Sequence, residues 1–174
     1  MNPCTKTYSF DFGLLFYYHI FMSSESIKSP AERHIVYARA EIDRRLAIGP
    51  DEVDGLFGIT VVERSENRPR GEDCQRYTFG QVDEQKLYDE IMSTHRELDL
   101  WREQRQSGDI VIYSNDGKTI LHVGRVAPNG KDVISKWGPG GHVYQHPPAM
   151  VPNKYGHKIS ILRQPENTQN TLAS

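Results

Sequence analysis

The sequence predicts an α+β fold, with helices ahead of an antiparallel meander sheet. Three observations carry this. Ile35, Ala38, Ile42 and Leu46 recur at spacings of three and four and draw one apolar helical stripe. The later half holds short runs rich in Val, Ile and Tyr. Those runs are joined at Asp116-Gly117 and Asn129-Gly130, dipeptides that favour tight hairpins because glycine adopts positive φ at little cost. Helical segments followed by hairpin-linked strands give segregated α+β rather than alternating α/β.

The first helix is placed from Pro30 to about Ala47. Ser29-Pro30-Ala31-Glu32 reads as a capping box with proline at the first helical position, and Gly49-Pro50 stops the helix. Ile59 to Val62 reads as a short strand. Glu63 to Glu72 is polar, contains Pro69 and Gly71, and reads as a loop leading to Cys74. A second helix is expected from about Asp83 to Arg105, with Leu87, Ile91, Leu98 and Trp101 or Arg102 near one face. Strands follow at Ile110 to Ser114, Thr119 to Val126, Val133 to Trp137 and Lys158 to Arg163. The stretch between Trp137 and Tyr155, rich in Gly, Pro, His and Tyr, is expected to be a structured loop lying over the site. In domain terms, 1–28 is an extension, 29–163 one domain with its motif-bearing part at 72–163, and 164–174 a polar tail expected to be disordered.

Composition narrows the function classes. With 174 residues the chain is long enough for one domain with its own core, and its formal net charge is −2. That balance calls for neither nucleic acid nor an anionic membrane as partner. The apolar run Phe12 to Met22 is too short to span a bilayer. Only Lys6 precedes it as a positive charge, Asp11 abuts it, and no Ala-x-Ala site follows, so it is not read as an export signal. Cys4 and Cys74 make no disulfide framework; a lone internal cysteine fits a reduced compartment or a catalytic thiol, and a cytoplasmic location is expected ahead of a secreted or wall-associated one.

The chemistry-bearing residues are Asp73-Cys74 before a helical stretch and His122 inside Leu121-His122-Val123-Gly124. A thiol becomes a good nucleophile when a base draws off its proton, and a histidine on a neighbouring strand meets that need whatever its distance in sequence. Strand alternation puts His122 on the opposite face from Leu121 and Val123, and puts Ser135 with Val133 and Trp137, opposite Ile134 and Lys136. His142 and His146 stand at an i, i+4 spacing, but Pro139, Gly140, Gly141, Pro147 and Pro148 exclude the helix that would align them on a metal. Gly138, Gly140 and Gly141 precede no helix and make no phosphate loop. No metal and no cofactor is expected.

Asp73-Cys74, Gly108-Asp109 leading into an apolar strand, and His122-Val123-Gly124 resemble, in order and separation, the NlpC/P60 family of papain-like cysteine peptidases and amidases. The resemblance covers about Glu72 to Arg163. It implies a papain-like fold, helices packed on an antiparallel meander sheet, and cysteine-dependent hydrolysis of an amide bond in a peptide or cell-wall peptide through a thioester. It implies that Cys74 is the nucleophile, His122 the base, and Ser135 the residue that orients the imidazole, with Lys136 as the other polar residue of that strand. Gln75 stands where the family usually has a small serine, and Ser135 where it has His, Asn or Gln. Asp73, Gln75, Trp137 and Tyr144, with Tyr155, are expected to line the substrate groove. The backbone N–H of Cys74 is expected to help stabilise the oxyanion. A thiolate–imidazolium pair would keep the thiol reactive down to about pH 6. Two other readings share these residues: a catalytically inactive binding module of the same fold, and a Cys–His acyltransferase.

Overall fold

A computed structural model describes residues 29–69, 71–80, 89, 91, 93–98 and 103–164. The chain divides into two compact units, Met1–His34 and Ile35–Ser174. In the described part of the first, Ser29 and Glu32 form the expected reciprocal cap: Ser29 N–H donates to Glu32 Oε2 at 2.7 Å and Glu32 N–H to Ser29 Oγ at 3.3 Å. They open helix α1, Pro30–Leu46. The apolar run Phe12–Met22, Cys4, Leu87 and Trp101 lie outside the described residues.

The second unit is built on a seven-stranded sheet: β1 (Thr60–Glu63), β2 (Arg96–Glu97), β3 (Ile110–Ser114), β4 (His122–Val126), β5 (Val133–Lys136), β6 (Val143–His146) and β7 (Lys158–Arg163). Their order is β1-β6-β5-β4-β3-β7-β2, and every pairing is antiparallel. The class is therefore α+β. β3 to β6 form a meander, as the two hairpin dipeptides require. A short helix, α2 (Cys74–Phe79), opens directly at the cysteine. Among the described residues no helix is long and apolar enough to cross a membrane.

The sheet is covered on both faces, which explains why all five residues of β3 are buried. Val111 and Tyr113 enter the larger cluster with Ile42 of α1, Val126, Val133, Trp137, Tyr144, Tyr155 and Ile161. Ile110 and Ile112 enter a smaller one with Ile91, Val123 and Leu162, against which Cys74 and Phe79 pack. Each fully buried aliphatic side chain contributes about 2 kcal/mol on transfer from water.

Two expectations about elements are corrected. The second helix does not run to Arg105. Its described residues end with a helical bond from His95 N–H to the Ile91 carbonyl, and Arg96–Glu97 then leave to pair with β7. Leu98 N–H donates to the Ile161 carbonyl at 2.8 Å, so the free edge of β7 captures this segment against its local helical pattern. The stretch from Trp137 to Tyr155 is not wholly a loop over the site: Val143–His146 is β6, an internal strand between β1 and β5. The turn that returns it is so tight that a Cβ on Gly141 would lie 2.0 Å from the Trp137 carbonyl oxygen.

Candidate functional site

α2 begins where it does because Asp73 caps it. Asp73 Oδ1 accepts from the N–H groups of Gln75 at 3.1 Å and Arg76 at 2.9 Å. Its carboxylate is thereby committed to the helix start, and Gln75 Oε1 is buried without a partner. Cys74, the first helical residue, carries a free, half-buried thiol. Burial pushes that thiol above its ordinary pKa, the Asp73 charge adds to the rise, and the Val123 backbone amide opposes it. Burial and the capping carboxylate thus outweigh the backbone groups of Val123, Cys74 and Gln75 that favour the thiolate.

His122 is fully buried on β4. Its ring stacks on Tyr155 at 3.8 Å between centroids with 11° between planes, and Tyr113 lies at 5.4 Å. Tyr155 is carried by the 147–157 segment, which Arg39 of α1 pins by donating to the carbonyls of Val151, Pro152 and Gly156. Burial holds His122 well below the usual histidine pKa, with smaller contributions from His146 and Lys154. A lowered imidazole and a raised thiol each rest uncharged, which departs from the expectation of a resting thiolate–imidazolium pair.

Ser135 reaches His122 because Gly124 lets β4 and β5 close together. A Cβ on Gly124 would lie 2.7 Å from Val133 Cγ1, 2.8 Å from the Ile134 carbonyl oxygen and 2.8 Å from Ser135 Cβ. Ser135 Oγ lies 2.9 Å from His122 Nε2. It also lies 2.9 Å from His146 Nε2 and accepts from Trp137 Nε1–H at 3.1 Å. His122 Nδ1 is buried with no hydrogen-bond partner. Two neighbours of that ring also sense Cys74. One is Val123, the next residue along β4, and the other is Tyr155, whose phenol an ionised Cys74 would push further up. The structure thus joins His122 and Ser135 on the Tyr113 and Tyr155 face of the sheet, whereas Cys74 packs with Ile110, Ile112 and Val123 on the other face. No hydrogen bond joins Cys74 to His122.

Other expected site residues go elsewhere. Trp137 and Tyr144 do not line an open groove: they are 4% and 0% exposed, their rings lie 4.4 Å apart, and Tyr144 Oη–H donates to the Pro50 carbonyl at 2.6 Å. Tyr155 is buried as well. Lys136 is turned away from His122 and donates to the Gly141 carbonyl at 2.6 Å. His142 and His146 diverge: His142 Nδ1 accepts from Ser65 N–H at 2.9 Å, and its Nε2 lies 3.2 Å from Asp51. Among the described residues, no group of three or more His, Cys, Asp and Glu is placed to hold a metal ion.

His146 is the site residue that sequence reasoning missed. The signal was the alternation in Val143-Tyr144-Gln145-His146 after a Gly-Gly turn, which marks a strand whose register brings His146 diagonal to Ser135.

No curated protein and no solved structure matches the chain. A family model described as "Domain of unknown function (DUF7689)" matches residues 69–163, the stretch from just before α2 to the end of β7. It takes in Cys74, His122, Ser135 and His146, and it exceeds half of the chain, so this protein belongs to the DUF7689 family.

Proposed function

We propose that the chain is a cysteine-dependent amide hydrolase of papain-like, NlpC/P60-type architecture, acting on a peptide or other amide. One observation carries this reading: His122 is anchored at Nε2 by Ser135 while its other nitrogen, Nδ1, is buried without a partner. A base that must take a thiol proton needs one nitrogen held and the other bare. The start of α2 must bring Cys74 Sγ from the Val123 face to His122 Nδ1, and because both groups rest neutral the proton moves between them as the sulfur attacks the carbonyl. The C–N bond then breaks, with the same proton passing to the leaving amine. Water attacks the thioester by the reverse proton path and regenerates the thiol.

The experiment is an acylation burst with p-nitrophenyl acetate in a Cys4→Ser background. The parent should give a burst that Cys74→Ala abolishes and His122→Ala slows by on the order of a hundredfold, the usual scale of a lost general base. Ser135→Ala should weaken it less. The complete burial of His122 favours the competing reading, an inactive binding module with the same core. An acylation rate at Cys74 that His122→Ala leaves unchanged would establish that module and reject the hydrolase.

A further inference from the structure

The protons around Ser135 can be assigned by elimination. Pro147 offers only a carbonyl oxygen, 2.9 Å from His146 Nδ1, so that nitrogen must carry hydrogen. Burial lowers the His146 pKa to about 4, so the ring is neutral near pH 7 and its Nε2 is a bare acceptor. Trp137 Nε1 can only donate. Ser135 has one hydroxyl proton, and His146 Nε2, at 2.9 Å, cannot supply its own, so that proton goes to His146. The remaining contact, 2.9 Å from Ser135 Oγ to His122 Nε2, then requires hydrogen on the His122 nitrogen. Ser135 thus donates once and accepts twice, which fills its capacity.

We propose that His146 is a positioning residue: acting through Ser135, it fixes His122 as the Nε2–H tautomer and leaves the Nδ1 lone pair bare. Serine alone cannot do this, because a hydroxyl donates as readily as it accepts. The acceptor-only nitrogen of His146 gives the hydroxyl its direction, and the Pro147 carbonyl in turn gives His146 its tautomer. The consequence for catalysis rests on the hydrolase reading above; the tautomers themselves do not.

The test is ¹H–¹⁵N long-range correlation of the imidazoles in full-length protein labelled with ¹⁵N-histidine, at neutral pH. The chain has seven histidines, and single substitutions assign them. The expected result is hydrogen on Nε2 of His122 and on Nδ1 of His146. In His146→Leu the Ser135 hydroxyl loses its acceptor and turns to His122, which should shift toward Nδ1–H. The Cys74 burst should then fall toward, and not beyond, the roughly hundredfold loss of His122→Ala, because a wrong tautomer withholds the base that His122→Ala removes. His146→Gln, which keeps one acceptor and one donor, should restore both signals in large part. A wild-type spectrum with His122 as Nδ1–H overturns the proposal without any variant, as does a His146→Leu protein whose His122 tautomer is unchanged. If the tautomers are as assigned but His122→Ala leaves the burst intact, the hydrogen-bond relay stands and only the hydrolase reading falls.

Discussion

Acidification should remove stability from this fold through a buried histidine well before the carboxylates are neutralised. His146 is fully buried, its Nε2 accepts from Ser135, and its pKa is lowered from 6.5 to about 4. Asp132 and the Pro147 carbonyl pull it upward, and burial outweighs both. The sign follows from which state binds the proton first. In the unfolded chain His146 protonates near pH 6.5, whereas in the folded chain it resists until about pH 4, so the unfolded state holds more protons between those values. Its contribution is therefore complete above about pH 6.5 and is lost as pH falls toward 4. The shift of about 2.5 pH units corresponds to ~3 kcal/mol. Urea unfolding of wild type and His146→Gln from pH 4 to 7.5 isolates this term, because the carboxylates titrate alike in both. The stability gap between the two should shrink by about 2 to 3 kcal/mol from pH 7 to pH 4. Parallel stability curves would show that His146 is not held neutral by burial and would refute the reasoning.

Two further predictions concern the groups that hold the site in shape. Arg39→Lys keeps the charge but loses the fork that serves three carbonyls, so it should cost about 2 to 4 kcal/mol in urea unfolding, and a loss below about 0.5 kcal/mol would mean water replaces the guanidinium. Gly124→Ala forces its methyl against the Ile134 carbonyl and Ser135 Cβ, neither of which can swing aside; it should cost about 1 to 3 kcal/mol and break the His122–Ser135 bond, seen as a loss of the Nε2–H signal of His122.

Much of this fold was legible because local chemistry and tertiary structure agree. The capping box at Ser29 starts α1 at Pro30, and the hairpin dipeptides join β3 to β4 and β4 to β5. The run Lys158–Arg163 is a strand with the expected ends. Where the two disagreed, the sequence misled. Arg96 and Glu97 are good helix formers, and only the open edge of β7, far along the chain, makes them a strand. Val143 to His146 sits among glycines and prolines that argue for a loop, yet those residues build the tight turns at either end of an internal strand.

The site divides along the same line. Alternation along β4 and β5 sufficed to put His122 and Ser135 on one face, since Ser135 follows from the pleat and Gly124 from the need to bring the strands close. Protonation could not be read this way. Whether Cys74 and His122 rest charged depends on Tyr155, Tyr113 and Lys154, which come from distant stretches, and on a depth of burial that no spacing encodes. This changes the chemistry expected of the pair. On the proposed hydrolase reading, an exposed Cys–His pair would store a thiolate before any substrate arrives, whereas two buried neutral groups must exchange the proton during attack, and the rate would then depend on the imidazole already presenting the correct nitrogen. A serine in the orienting position would leave that choice open on its own. With Trp137 donating to it and His146 only accepting from it, Ser135 has one arrangement left, and it is the arrangement that keeps Nδ1 of His122 bare.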